Sequence, residues 1–263
     1  MVARIDESRL RDVIAVAAGV SPDAVDGWPA AEGWVRRAAA MLTDYQSGIP
    51  LGYVLGEVNY LGRAFRSDSR ALAVRRYSEP LVERILRDFA GRPVRAVDIG
   101  CGAGAAICTL AKELTGEFIG TDVDPRALEL AGENAERHGA RVDLVISDLF
   151  DGLDGRFDVI YANLPRQDPR TPVPEGDWEP SVALYDRTAQ PLGLYRRFFA
   201  EVGDRLTETG RLYLEIPLDP RLAELLPGER VVDGDGDDFA RVMTTADARR
   251  LPALVEQLTW PDG

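Results

Sequence analysis

The chain has 263 residues, 45% hydrophobic and 29% charged, enough to bury one large domain or a large and a small one. Its formal net charge of −13 lacks the cationic surplus that neutralising phosphates demands, so a nucleic-acid substrate is disfavoured. No apolar run is long enough to cross a bilayer, and Arg4, Asp6, Glu7 and Arg9 argue against reading the first residues as a secretory leader. Cys101 and Cys108 share one loop–helix stretch where a disulfide is geometrically poor, which points to a reducing cytoplasm. With one histidine, His138, no metal site is expected and Ser–His or Cys–His catalysis is disfavoured. His138 itself reads as a solvated residue in the last turn of a helix.

In chain order, Leu10, Val13, Ile14 and Ala17 recur at helical spacing up to Gly19, and Ser21-Pro22-Asp23 opens a second short helix. A third helix is expected over 30–45, with Trp34, Ala38, Met41 and Tyr45 on one face, ending before Gly48-Ile49-Pro50. Short strands over 57–60 and 64–66 flank Leu61-Gly62-Arg63 and suggest a β-hairpin. Residues 1–70 therefore read as a small helical N-terminal domain with a hairpin connector, and 71–263 as a second domain.

That second domain alternates. A helix over 79–89 precedes a buried strand over 94–100; a helix over 103–114, a strand over 118–122, a helix over 125–138 and strands over 142–146 and 157–162 follow. Beyond a proline-rich loop, 164–190, come a helix over 193–206 and a strand over 211–216. Apolar runs at 230–232 and 240–244 flank a Gly-Asp turn and suggest an antiparallel edge hairpin. This pattern predicts an α/β fold with a doubly wound, mostly parallel sheet. Loops as long as 164–190 in compact domains are usually functional.

Three strand ends carry candidate binding groups. Asp98-Ile99-Gly100-Cys101-Gly102-Ala103-Gly104 joins a strand to a helix, where glycines let backbone N–H groups approach a ligand. Asp122, followed by Val123, ends the next strand where ribose hydroxyls would lie. Ser147-Asp148-Leu149-Phe150 offers an acid and apolar walls for an adenine. Gly100-x-Gly102-x-x-Ala105 also satisfies the dinucleotide fingerprint, so an NAD-linked oxidoreductase is a rival reading. Against it stand Asp98, placed to receive a cationic methionine portion, and Asn163-Leu164-Pro165 at the end of the fourth strand, placed to bind a planar amide or amine.

Taken together these motifs resemble the HemK/PrmC-type protein-glutamine methyltransferases over nearly the whole chain. The stretch from Gly48 to Gly56 looks like the family's G-x-P-x-x-Y-x-x-G connector, and Glu179-Pro180-Ser181-Val182-Ala183-Leu184 looks like its E-P-x-x-A-L segment. Thr121-Asp122 with Asn134-Ala135 is similar to its ribose motif, and Leu214-Glu215-Ile216 to a later strand. The resemblance implies a seven-stranded Rossmann-like sheet and S-adenosylmethionine (SAM) as cofactor. It implies that Asp98, Gly100, Cys101, Gly102, Ala103, Gly104, Asp122, Val123, Asp148, Leu149 and Asn163 surround SAM. Asn163, Leu164 and Pro165 would be the catalytic turn, whose side-chain and backbone oxygens orient the target nitrogen, and Tyr53, Arg75, Arg166 and Glu179 would join Asn163 around the acceptor.

The chain departs from the family at the acceptor. Asn163-Leu164-Pro165-Arg166 stands where the family has Asn-Pro-Pro-Tyr, and Ala73-Val74-Arg75-Arg76-Tyr77-Ser78-Glu79 replaces Ile-Pro-Arg-Pro-Glu-Thr-Glu while keeping Arg75 and Glu79. Arg166 offers a planar guanidinium, suited to a carboxylate, in place of a neutral aromatic wall. The expected function is therefore a SAM-dependent N-methyltransferase, a cytoplasmic monomer, whose acceptor has changed to a small amino-acid-like or peptide substrate. The alternatives are glutamine methylation of a peptide chain release factor, a SAM-binding but catalytically silent interaction protein, and the NAD-linked oxidoreductase.

Overall fold

The computed structural model describes residues 34–165, 167, 178–186, 188, 192–216, 224–232 and 238–256. The two helices expected before residue 30 and the side chain of Arg166 lie outside them. The first described helix, α1 (Trp34–Gln46), is followed by a one-turn helix, α2 (Leu51–Leu55), that ends on Gly56 in the left-handed region at φ 75°. Ala38 and Met41 of α1 pack against Leu42, Leu51, Val54 and Leu55 in a small core of their own.

The expected hairpin is present as β1 (Glu57–Tyr60) and β2 (Arg63–Arg66), which pair antiparallel with Tyr60 opposite Arg63. Leu61 and Gly62 both have positive φ, 46° and 78°, the twist that a two-residue hairpin turn requires. A leucine there is strained, and its N–H is held by Glu79 Oε1 at 3.1 Å. The hairpin forms a sheet separate from the main one and docks through Tyr60 and Phe65, both buried, onto Leu81, Val82 and Ile85 of α3 (Glu79–Asp88).

The main sheet has seven strands, in the order β5-β4-β3-β6-β7-β9-β8. β3 (Val94–Ile99), β4 (Gly116–Asp122), β5 (Asp143–Ile146), β6 (Phe157–Ala162) and β7 (Leu206–Glu215) run parallel; β9 (Asp238–Thr244) pairs antiparallel with β7, and β8 (Glu229–Val232) closes the edge against β9. The crossovers are α4 (Ala105–Glu113), α5 (Pro125–His138) and, after a short helix α6 (Ser181–Leu184), α7 (Gly193–Arg205); α8 (Thr245–Ala248) and α9 (Leu251–Val255) finish the chain.

Alternation along the strands makes the two faces. Val97, Ile99, Ile160, Leu212 and Leu214 pack with Phe198, Phe199 and Val202 of α7, whereas Ala96, Val159 and Tyr213 pack with Ile107 and Leu110 of α4 and Ile85 of α3. The chain winds outward through β4 and β5, then restarts on the other side of β3 with β6. That reversal leaves a crevice at the carboxyl ends of β3 and β6, where ligands bind in such sheets.

His138 differs from its expected solvated role. Its ring lies 4.6 Å from that of Phe65, and its Nε2 is 3.0 Å from the Ala64 carbonyl, because the hairpin covers the end of α5. No described helix is long and apolar enough to cross a membrane.

Candidate active site

A cavity of ≈ 360 Å³ opens at this crevice. Its floor is the loop between β3 and α4, where Gly100, Gly102 and Gly104 have φ of 77°, 53° and 77°. A Cβ at Gly104 would sit 3.0 Å from the Ala131 Cβ, so the loop needs glycine both for its conformation and for its approach to α5. The N–H groups of Gly100 and Cys101 donate to the Thr121 carbonyl at 2.9 and 2.7 Å, and Gly104 N–H donates to Cys101 O at 2.8 Å. Asn134 fixes the loop from behind: its amide donates to Ala103 O at 2.9 Å and to Arg66 O at 3.1 Å, and its oxygen accepts from Arg66 N–H at 2.8 Å. One fully buried side chain thus ties the hairpin to the glycine loop.

Asp98 lines the cavity from the end of β3 and is 2% exposed. Its Oδ1 is buried without a hydrogen-bond partner. Burial, and then the charges of Asp122 and Glu215, push its carboxyl well above the ordinary range. Among the described residues, the cations that line the same cavity are already engaged: Arg70 with Asp68 and Glu133, Arg75 with Glu179, and Arg197 with Asp148. A buried acid with no counter-charge among the described residues of its cavity has the chemistry to attract a cationic ligand.

Asp122 ends β4 and also lines the cavity. Its two oxygens accept from Gly102 N–H and Asp124 N–H, each at 3.0 Å, so it braces the glycine loop and the N-terminus of α5. Burial raises its pKa above the usual carboxylate range. Val123, 44% exposed, presents an apolar group at the cavity wall. After β5, Ser147 donates to the carbonyls of Leu149 and Asp151 at 3.0 and 2.6 Å, holding Leu149 in the left-handed region at φ 53°. Asp148 and Leu149 line the cavity from this turn, and Arg197 of α7 donates to Asp148 at 2.9 Å.

Asn163, Leu164 and Pro165 follow β6 and line the cavity beside the glycine loop. The turn lies close over Gly100: a Cβ built there would be 3.9 Å from both Asn163 O and Leu164 Cδ2. The Leu164 carbonyl accepts a hydrogen bond from the Tyr195 hydroxyl at 3.1 Å. Gly100, Cys101, Gly102 and Ala103 are lining residues too, whereas Gly104 stands behind them as the N-cap of α4.

The residues expected around the acceptor divide. Arg75 lines the cavity. Glu179 does not; its side chain is 0% exposed and accepts from Arg75 Nη2 at 2.7 Å and from Ala73 N–H at 2.9 Å. Tyr53 also stands outside the lining, its hydroxyl donating to the Ala71 carbonyl. Both side chains therefore shape the 71–75 wall. Glu179→Gln should keep the Ala73 contact and lose the charge-assisted one. Arg75 is 35% exposed, so after solvent screening the loss should be about 1–2 kcal/mol of stability. Urea melts of the two proteins check this; an unchanged midpoint would show that the pair holds nothing.

Several groups that border the site belong to none of the sequence motifs. Tyr161 lies beside Asp98 in register and donates to Glu215 Oε1 at 2.6 Å, while Tyr60 and Ser78 share a 2.9 Å hydrogen bond. Tyr60, Ser78 and Tyr161 all line the cavity. Tyr161 could have been found from strand alternation, since it shares parity with Asn163; the other pairings carry no local signal.

Known proteins offer a comparison for this geometry. A profile described as a methyltransferase domain matches residues 92–222. The release factor glutamine methyltransferase of Deinococcus radiodurans is 36% identical over 217 residues, 80% of this chain and 73% of the relative. That of Agrobacterium fabrum is 34% identical over 197 residues, covering 71% and 68%. That of Geobacter sulfurreducens is 37% identical over 173 residues, covering 64% of this chain and 60% of the relative. Among solved structures, a ribosomal protein L11 methylase from Lactobacillus delbrueckii subsp. bulgaricus superposes with a TM-score of 0.44 at 18% identity, covering 58% of this chain and 66% of that one.

Proposed function

The chain belongs to the release factor glutamine methyltransferase family, and from that membership we propose that it is a SAM-dependent N-methyltransferase with an altered acceptor. The observation that carries the cofactor assignment is Asp98, a buried acid with one unpartnered oxygen, which lines a glycine-rich cavity. SAM fits that chemistry. Asp98 would take its ammonium group, the backbone of Gly100, Cys101, Gly102 and Ala103 would line its methionine portion, and Asp122 would accept from its ribose hydroxyls. Val123 and Leu149 would flank its adenine beside Asp148. Bound there, SAM supplies an electrophilic methyl group on a sulfonium.

The chain's own part in the reaction is positioning. Asn163 Oδ1 and the Leu164 carbonyl would accept N–H bonds from the target nitrogen and so aim its lone pair across the cavity. The Leu164 carbonyl has a second lone pair beyond the one that Tyr195 uses. Pro165, lacking an N–H, keeps the turn from offering a competing donor. A neutral amide loses its proton during or after attack and needs no strong base. Arg166 is the proposed selector for an acceptor carboxylate, by its planar fork. Residues 1–70 would form the cap over the acceptor side and 71–263 the catalytic domain; the separate core of α1 and α2 favours this for residues 38–55, while the hairpin packs on α3 as the connector. The protein would act as a monomer in a reducing cytoplasm, which its two free, buried thiols suit.

The test is methyl transfer from labelled SAM to a panel of amino acids, short peptides and a purified peptide chain release factor. Robust labelling of the release factor glutamine alone would sink the altered acceptor and leave the family's named activity. For the cofactor site, Asp122→Ala should weaken SAM binding by about 10- to 100-fold, because it removes charge-assisted bonds to the ribose and also frees the Gly102 N–H that braces the loop. Calorimetric titration decides: an unchanged affinity excludes Asp122 as the ribose ligand.

A further inference from the structure

We propose that Tyr195 is a positioning residue for methyl transfer, its hydroxyl setting the direction of the Leu164 carbonyl against the cofactor site. The proposal rests on the reading of Asn163-Leu164-Pro165 as the acceptor turn. β6 ends at Ala162, so among the described residues no ladder hydrogen bond orients the carbonyls that follow. Pro165 then biases Leu164 towards extended backbone but does not choose where its oxygen points between the core and the cavity. Tyr195 makes that choice. It is fully buried, does not line the cavity, and donates to Leu164 O at 3.1 Å from a helix 31 residues further along the chain. By taking one lone pair from the core side, it leaves the other towards the cavity.

The helix that carries Tyr195 also holds the opposite wall. Arg197 bonds Asp148 at 2.9 Å, and the Phe198 ring stacks on Phe150 at 5.6 Å, both partners belonging to the turn that flanks the proposed adenine position. The start of the helix is itself tied down, with Leu194 N–H donating to the buried Asp186 at 3.1 Å and Thr188 bonding the same carboxylate at 2.6 Å. α7 is therefore one rigid frame that references the acceptor turn, through Tyr195, to the cofactor turn, through Arg197 and Phe198. In-line transfer depends on that separation, and a misplacement of about 1 Å costs up to a hundredfold in rate.

The experiment is Tyr195→Phe, which keeps the ring against Phe199 and removes only the hydroxyl. With labelled SAM and whichever of the release factor or the amino-acid panel the wild type methylates, kcat should fall between about 10- and 100-fold. The acceptor KM and the SAM dissociation constant should stay within about twofold, because no group that touches either ligand is removed. Arg197→Gln is the counterpart on the other wall and should raise the SAM dissociation constant more than it lowers kcat. An unchanged kcat in Tyr195→Phe, or a loss of SAM binding in step with the rate, gives the hydroxyl a merely structural role and overturns the proposal. Failure of the wild type to methylate any of these acceptors while still binding SAM overturns the acceptor reading beneath it, and the proposal with it.

Discussion

Asp98→Asn should melt at a higher temperature than the wild type in the absence of ligand, yet bind SAM about 10- to 100-fold more weakly. The two effects share one cause. The carboxylate is buried, one of its oxygens has no partner, and burial together with Asp122 and Glu215 raises its pKa well above the ordinary value. A carboxyl whose folded pKa is raised contributes stability that is complete below its unfolded pKa, about 3.9, and is lost as pH climbs through the folded value. The ligand-free wild type should therefore weaken with rising pH through this group, whereas the asparagine variant should not. The gap in melting temperature should be small near pH 5 and wider at pH 8. A ligand ammonium would supply a counter-charge to the carboxylate, and the neutral amide forfeits that attraction. Thermal melts across that range, paired with calorimetry, check both halves. A variant less stable at every pH, or one that binds SAM normally, would remove Asp98 from the proposed role.

Asn163→Ala should lower kcat by about 100- to 1,000-fold, the usual loss when one preorganised hydrogen-bonding group leaves a reaction centre. SAM affinity should change far less, because Asp98, Asp122 and the glycine loop remain in place. The half-buried Asn163 lies in a turn packed over Gly100, so its truncation opens space at the cavity wall without disturbing the sheet beneath. Pre-steady-state methyl transfer at saturating SAM isolates the chemical step. A rate within threefold of the wild type, on an order-of-magnitude scale, would show that Asn163 does not orient the acceptor.

Some elements were legible because their signals are local. α5 spans Pro125–His138 as expected: Asp124 caps it by accepting from Arg126 N–H, Pro125 sits in the first turn, and Gly139 closes it at φ 59°. β6 spans Phe157–Ala162 as expected, an apolar run bounded by turn residues and buried at nearly every position. The edge strands were legible in the same way, as two apolar runs on either side of a stretch rich in Gly and Asp, and they pair antiparallel. β7 was expected from 211 but begins at Leu206; a register shift against β6 between Phe157 and Val159 accommodates the extra residues, and such an irregularity has no period for a sequence to display.

The sequence by itself determined the order of strands and helices, the glycine loop and the acids at three strand ends, because each depends on residues within a turn or two of one another. Only the tertiary structure decided which polar side chains line the cavity and which hold the frame. Glu179, 104 residues from Arg75 along the chain, is a buried anchor for the 71–75 wall. Asn134, 68 residues from Arg66, staples the hairpin to the glycine loop, and Tyr195 reaches Leu164 across 31. A carboxylate, an amide or a phenol can bond anything brought within about 3 Å, and its residue type alone does not say what that will be. The partner is chosen when helices and hairpin pack their apolar faces onto the sheet, and that packing is a property of the whole chain.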